Sequence, residues 1–280
     1  MIIEKILNNN VVISKNQQGN EIIIMGRGIA YQQKIGMAIN EELIDKLFIL
    51  KDHENVHQIE AMLAEIPIEY FELSRDIVSY AKTHLGKKIN DSIYISLSDH
   101  IFTAIQRFQD GVIIKNPLLW DIRRFYKDEF IIGKKSLEMI EERFGVSLAE
   151  DEAGFITLHL VNATMDEDLE TVYEITKVMQ EISNIVKYHF QIEFDEESVY
   201  YYRFITHLKF FSQRLTSEKA YDDESETELF AIIKEKYQNA YVSVKKISGF
   251  LKEKYHYEIT DEEQLYLTIH IERLIYKTKT

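Results

Sequence analysis

The chain has 280 residues, of which 45% are hydrophobic, and its net charge is −14, with 33 basic and 47 acidic residues. This length suffices for about two domains with ordinary packed cores, and the acidic balance argues against nucleic-acid binding by the whole surface. The lack of cysteine excludes disulfides and thiolate metal sites and fits a reducing cytoplasm. No signal peptide and no apolar run of membrane-spanning length are evident, so we expect a cytoplasmic protein without membrane insertion.

The first 50 residues predict a small antiparallel β-sheet. Short runs rich in β-branched residues occupy positions 2–6, 11–13, 21–25, 29–33 and 46–50. Residues 15–20, between the second and third runs, have the composition of a hairpin turn in which Gly19 can adopt a positive φ. Because a sheet of this size buries little surface alone, we expect it to need a partner, most simply a second copy.

Two glycines flank Arg27 after the third predicted strand. Gly26 and Gly28 indicate a bulge or a close approach of the backbone, and an arginine held between them can reach a phosphate or a guanine edge. Tyr31 offers a stacking face of the kind that looped RNA uses. The first 40 residues carry four basic and two acidic side chains, so this module could bind a polyanion although the chain is acidic.

From about residue 60 the apolar spacing changes to that of helices. Residues 69–84 carry apolar side chains three and four positions apart, which predicts a helix. Residues 52–65 are polar and then mildly amphipathic, so we interpret them as a linker. Pro67 and Pro117, the two prolines of the chain, lie near apparent element starts.

An internal repeat dominates the remainder of the chain. Residues 126–159 match residues 237–270 without a gap, and the segment around residues 94–107 matches residues 201–214. The identical pairs include Tyr94/Tyr201, His100/His207, Arg107/Arg214, Tyr126/Tyr237, Glu152/Glu263, Thr157/Thr268 and His159/His270. We therefore predict two copies of one helical domain at residues 66–171 and 172–280, preceded by the sheet module with its linker at residues 1–58. The acidic residues 217–228 of the second copy are interpreted as a solvated loop.

Each copy contains two histidines at equivalent positions, His100 with His159 and His207 with His270. All four have apolar helical neighbours, so they can be core residues with satisfied nitrogens. Two of these histidines with the neighbouring Asp99 could also bind a metal. A neutral imidazole can instead attack phosphorus and carry a phosphoryl group, which adds nearly two negative charges. The recurrence of all four in register favours a functional role.

One further motif suggests metal chemistry. Residues 53–57 (HENVH) match the H-E-x-x-H pattern of zinc proteases. Polar Lys51 and Asp52 precede the motif, it lies in the predicted linker, and no third ligand is evident, so a solvated turn is the favoured interpretation. Since no P-loop, nucleophile elbow or carboxylate pair stands out, we expect no catalytic residue, no metal and no cofactor.

These residues resemble a known family. Residues 6–11 (ILNNNV) and 25–32 (MGRGIAYQ) are similar to the co-antiterminator RNA-binding domain of the BglG/SacY/LicT antiterminators, and the tandem repeats resemble their two phosphotransferase-system (PTS) regulation domains. The segments that carry the second resemblance are 90–94 (NDSIY), 97–100 (LSDH), 127–130 (KDEF), 151–155 (DEAGF) and 266–270 (YLTIH). The resemblance covers essentially the whole chain.

The resemblance implies a four-stranded RNA-binding sheet followed by two all-α helical-bundle domains. The sheet would dimerise and bind a leader-RNA hairpin, preventing an overlapping terminator from forming, for example in a β-glucoside operon. The matching RNA-contacting positions are Lys5, Asn10, Gly26, Arg27 and Tyr31, where Tyr31 replaces the family's phenylalanine.

In the same family pattern, a sugar-specific Enzyme II directs inactivating phosphorylation of His100 and His159. The carrier HPr phosphorylates His207 and His270, which activates. Phosphate on the first copy would add like charge across a two-fold interface, whereas phosphate on the second could pair with Arg203 or Arg214.

Three rival functions remain at this point. A DNA-binding activator with the same repeats would need a helix-turn-helix in the strand-rich first 50 residues. A metal hydrolase would use His53 and His57. A phosphohistidine relay protein would carry the repeats without any nucleic-acid role.

Overall fold

The computed structural model describes residues 1–16, 18–49, 63–165, 168–216 and 227–278. The chain divides into two compact units. The first contains residues 1–116 and 128–166, and the second contains residues 117–127 and 167–280. The sequence-based domain bounds of 1–58, 66–171 and 172–280 stay a prediction.

The N-terminal module is a four-stranded antiparallel sheet with strand order β1-β2-β3-β4. Its strands are β1 Lys5–Asn8, β2 Val11–Lys15, β3 Glu21–Met25 and β4 Lys46–Ile49. The predicted strand at residues 29–33 is wrong, because the chain turns there instead. Gly28 has φ of 70°, and the amide of Tyr31 donates to the Gly28 carbonyl oxygen at 3.0 Å, which closes a turn.

The two faces of this sheet are covered by different parts of the first unit. Val12, Ile22 and Ile24 pack against the N-terminal residues and the 29–39 segment, including Ile3 and Ile39. On the opposite face, the side chains of Val11, Ile23, Met25 and Phe48 pack in one apolar cluster with Leu63, Ile66, Ile68 and Phe71. Residues from the first helical repeat therefore cover one face of the sheet, and dimerisation stays a prediction.

A short 3₁₀ helix at Glu41–Leu43 lies between β3 and β4, and the elements that follow the sheet are α-helices. Their bounds are α1 Ile68–Leu85, α2 Ile93–Gln109, α3 Leu119–Phe125, α4 Lys127–Phe144, α5 Glu150–Met165, α6 Leu169–Phe190, α7 Val199–Thr216, α8 Thr227–Lys236, α9 Gln238–Tyr255 and α10 Asp261–Thr278. The predicted helix at residues 69–84 is thus α1, which starts after Pro67 and ends at Gly86 in a left-handed conformation. The predicted fold class, a small antiparallel sheet followed by duplicated helical domains, is confirmed.

Several sequence-based expectations fall outside the described residues. The H-E-x-x-H segment at 53–57, most of the predicted 52–65 linker and the acidic stretch at 217–226 belong to this group. Residues 63–65, at the end of the predicted linker, are helical. Within the described ranges, no helix combines the length and the apolar character that crossing a bilayer requires.

Candidate functional site

The turn between β1 and β2 holds the glycine-rich segment that follows β3. The amide of Gly28 donates to the side-chain oxygen of Asn10 at 2.8 Å, and the amide of Gly26 donates to the Asn10 backbone oxygen at 2.9 Å. A Cβ atom on Gly26 would lie 1.7 Å from the carbonyl oxygen of Leu43, so only glycine fits. The expected close backbone approach is therefore present, and Asn10 fixes the loop that contains Arg27.

This loop presents two of the predicted RNA-contacting side chains. Tyr31 is 62% exposed, which leaves its ring face accessible for stacking. The side chain of Arg27 is 67% exposed, and its guanidinium forms an ion pair with Glu72. Lys5 lies at the start of β1 and is also exposed. The structure thus brings Asn10, Gly26 and Arg27 into one loop assembly.

The first histidine pair lies between α2 and α5. The rings of His100 and His159 have centroids 4.9 Å apart, although 59 residues separate them in the sequence. His159 is buried, with Nδ1 3.4 Å from the Ser96 hydroxyl, whereas His100 is half-buried. Burial, and secondarily the charge of His100, holds the pKa of His159 well below its usual range.

A buried ion-pair group adjoins His100. One carboxylate oxygen of Glu152 lies 3.0 Å from His100 Nε2, and the other accepts a hydrogen bond from Arg107 at 3.1 Å. Neither His100 Nε2 nor this carboxylate oxygen has a hydrogen-bond partner among the described residues, so the contact is electrostatic. Burial alone would raise the pKa of Glu152, but His100 and Arg107 together hold it below its usual value.

The second histidine pair, between α7 and α10, repeats the contact between the rings and the glutamate–arginine ion pair beside it. The rings of His207 and His270 have centroids 3.8 Å apart, and Glu263 lies 3.5 Å from Arg214. Burial and then the charge of Arg214 lower the pKa of His207. Burial, followed by the charges of His207, Arg273 and Arg203, lowers the pKa of His270 to about 4. Three of the four imidazoles are therefore held neutral near pH 7, which leaves a nitrogen lone pair for attack on phosphorus.

The sequence analysis found the histidines and named Arg203 and Arg214 as possible phosphate partners, but it missed the roles of Glu152, Glu263 and Arg107. Glu152 and Glu263 align in the repeat, as do Arg107 and Arg214, and this co-occurrence beside a repeated histidine was the available signal. Among the described residues, no group of three or more histidine, aspartate or glutamate side chains is placed to hold a metal ion. Asp99, the suggested third ligand, is instead a partly buried carboxyl whose pKa burial raises.

Comparisons with known proteins match three segments of the chain to two family models. Residues 1–57 match the family model described as CAT RNA binding domain, and residues 75–163 and 180–274 match the model described as PRD domain. The chain is 53% identical over 275 residues to the transcription antiterminator LicT of Bacillus subtilis (strain 168), covering 98% of this chain and 99% of that protein. It is 45% identical over 274 residues to the beta-glucoside operon antiterminator of Dickeya chrysanthemi, covering 98% and 96%.

One solved structure extends the comparison to the fold. The crystal structure of GlcT CAT-PRDI is 35% identical and aligns with 58% of this chain and 97% of its own, with a TM-score of 0.50. The likeness covers a CAT domain joined to one PRD domain.

Proposed function

Because this chain belongs to the BglG/LicT family of transcriptional antiterminators, we propose that it binds a hairpin in a nascent leader RNA and prevents an overlapping terminator from forming. The observation that supports this most directly is the loop fixed by Asn10, which presents the exposed side chains of Arg27 and Tyr31 from the domain that matches an RNA-binding family. The protein would act by binding, without catalysis, in the bacterial cytoplasm where leader RNA is made.

The five residues predicted to form the RNA-binding surface would have two kinds of role. Arg27 and Lys5 would contact phosphate or guanine edges, and Tyr31 would stack on an unpaired base. Asn10 shapes the loop because its side-chain oxygen accepts a hydrogen bond from the Gly28 amide, and Gly26 shapes it because its lack of a Cβ atom admits the Leu43 carbonyl. Substitution of either should disturb RNA binding by moving the loop.

Control of this activity would come from phosphorylation of His100, His159, His207 and His270. In each transfer, the bond between phosphorus and the phosphorylated side chain of HPr or of a sugar-specific Enzyme II breaks, and that side chain keeps the electron pair and takes up the proton that the acceptor imidazole releases. A nitrogen lone pair of the acceptor imidazole forms the new N–P bond. The neutral state of the buried histidines supports this chemistry, since a protonated imidazole has no lone pair to donate.

The charges beside each pair suggest how a phosphoryl group would act. Arg214 lies close enough to lower the pKa of His207, and Arg203 does the same for His270, so both guanidiniums could pair with phosphate on the second repeat. On the first repeat, the Glu152 carboxylate lies 3.0 Å from His100 Nε2, so it would repel a phosphoryl group there, and Arg107, which is already paired with its other oxygen, would only partly offset the repulsion. A homodimer that tightens or loosens accordingly would translate phosphorylation into RNA affinity.

A β-glucoside utilisation operon is the proposed target. It is supported by the 45% identity to a beta-glucoside operon antiterminator.

The test is a titration of the full chain with an RNA hairpin that has two internal loops, with a DNA duplex of equal length as control, at fixed salt. We expect preferential RNA binding that Arg27→Ala abolishes. Equal affinity for both nucleic acids would contradict the proposal. For regulation, His100→Asp and His207→Asp should give different RNA affinities and dimerisation constants, and identical values would contradict it.

A further inference from the structure

The sheet module is attached to the first helical repeat by a set of charged contacts. Arg27 pairs with Glu72 of α1 at 2.6 Å, Lys46 with Asp91 at 3.0 Å, and Asp45 with Arg75 at 3.8 Å. The three pairs join opposite charges on the two sides, so the surfaces are electrostatically complementary. This complementarity defines an interface within the first unit.

The Arg27–Glu72 contact has the geometry of phosphate recognition. Nε of Arg27 donates to Oε1 of Glu72 at 2.9 Å, and Nη2 lies 2.6 Å from both carboxylate oxygens. One edge of the guanidinium is therefore filled by a carboxylate, which presents two oxygens as a phosphate does. Hydrogen bonding and charge from Glu72 raise the pKa of Arg27 further.

Glu72 is held in place from its own side of the interface. Its side chain is 16% exposed, and Nη1 of Arg143 lies 3.8 Å from its second oxygen. The neighbouring Phe71 packs in the apolar cluster with Met25 and Phe48 of the sheet. Lys46 also lies over the Tyr94 ring, 4.4 Å from its centroid. Apolar contacts and charged contacts therefore join the sheet module to the first helical repeat across the same interface.

We infer that α1 is a docking surface for the sheet module, and that Glu72 competes with RNA phosphate for Arg27. The inference rests on the proposed function, because it takes Arg27 as an RNA-contacting residue. In the docked arrangement, Arg27 must release Glu72 before the same guanidinium edge can bind RNA. The apparent RNA affinity then equals the intrinsic affinity multiplied by the undocked fraction.

The experiment compares Glu72→Gln with Glu69→Gln in the full chain. Both substitutions lie on α1 and remove one negative charge, but only Glu72 bonds Arg27. RNA affinity is measured by fluorescence anisotropy with the two-loop hairpin at fixed salt. Glu72→Gln should bind the hairpin about three- to fivefold more tightly than the wild type, as expected from losing one well-formed surface ion pair. The RNA affinity of Glu69→Gln should stay within about 1.5-fold of the wild type.

A second measurement examines docking without RNA. Amide hydrogen exchange of β3 and β4 should become faster in Glu72→Gln than in Glu69→Gln, because undocking exposes that sheet face. Equal exchange and equal RNA affinity in the two variants would overturn the inference. Faster exchange with unchanged RNA affinity would overturn the competition for Arg27. If the wild type and both variants bound the hairpin no better than duplex DNA, the proposed function and the competition for Arg27 would both be contradicted. The exchange rates would still decide whether the sheet module docks on α1.

Discussion

The rings of His207 and His270 stack with centroids 3.8 Å apart and planes inclined by 29°. The corresponding rings of His100 and His159 are 4.9 Å apart and inclined by 44°. Two imidazoles this close disfavour each other's protonation, because a charge on one ring raises the cost of a charge on the other. The effect of each ring on the protonation of the other should therefore be stronger in the His207–His270 pair.

The first prediction concerns the pH dependence of His270. Its pKa falls from the usual 6.5 to about 4 in the folded chain, so between these values the unfolded chain binds a proton that the folded chain does not. The stabilising contribution is thus complete above pH 6.5 and is lost as the pH falls towards 4. We expect a loss of roughly 2–3 kcal/mol over this window.

An NMR titration of the His270 ring checks this directly, and its midpoint should lie below pH 5. The variant His270→Gln should show a weaker pH dependence of unfolding over the same window. The matched substitution His84→Gln removes an exposed histidine outside the pairs, so it controls for the loss of a histidine as such. A midpoint near 6.5 would contradict the burial of this imidazole.

The second prediction concerns the order in which the histidines react. His207 is exposed, whereas His159 is only 7% exposed, so a small phosphoryl donor reaches His207 without any opening of the helices. Incubation with phosphoramidate at neutral pH should therefore label His207 first and His159 last. Peptide mass spectrometry under conditions that preserve phosphohistidine gives the order. Early labelling of His159 would show that α2 and α5 separate readily in solution.

The third prediction concerns the carboxylate beside His100. Glu152 is 7% exposed and lies against both His100 and Arg107, so Glu152→Gln leaves a partly buried guanidinium without its counter-charge. We expect a loss of about 2 kcal/mol in the free energy of unfolding of the first unit, since the Arg107 side chain is 27% exposed and retains some solvent. Urea unfolding followed by NMR signals of α2 and α5 measures this loss.

A matched control for this substitution is Glu150→Gln. Glu150 belongs to the same helix but pairs with Lys134 at 3.8 Å, and both side chains are about half exposed. Its loss should cost less than about 0.5 kcal/mol. Similar losses in the two variants would show that the group around Glu152 contributes no more than a surface pair does.

The sequence predicted two kinds of feature: elements with a regular spacing of apolar residues, and residues that recur in both copies of the repeat. Helix α1 and strands β2 and β3 follow from apolar spacing, and the helical character of both repeats and the four histidines follow from the duplication. The failed strand at residues 29–33 has β-branched and aromatic composition, but its backbone hydrogen bonds close turns after Gly28. Local composition could not reveal this, because the Asn10 side chain that fixes the turn lies 18 residues earlier.

Contacts between distant side chains were also beyond the sequence. Glu72 is one of many acidic residues on a helix face, and nothing in its neighbourhood shows that it meets Arg27, which lies 45 residues earlier. Likewise Glu152 aligns with Glu263, but the alignment does not state that either meets an arginine. Ion pairs of this kind depend on how elements pack, and packing leaves no periodic signal in a single sequence.

The last prediction concerns Gly26. An alanine there would place Cβ 1.7 Å from the Leu43 oxygen and 2.9 Å from its carbonyl carbon, and both atoms belong to the backbone. The neighbouring chain cannot yield without breaking the hydrogen bond from the Asp45 amide to the Met25 oxygen, which lies at the start of the β3–β4 pairing. We expect Gly26→Ala to destabilise the sheet by about 3 kcal/mol and to weaken RNA binding in parallel.

Gly19→Ala is the control for this substitution. Gly19 has φ of 83°, but no heavy atom lies within 4 Å of a Cβ built there, so only backbone strain of about 1–2 kcal/mol is expected. Hydrogen exchange of the β2 and β3 amides compares the two variants within the same sheet. If both lost equal protection, steric collision with Leu43 would not be the reason for glycine at position 26, and the loop would owe its shape to Asn10 alone.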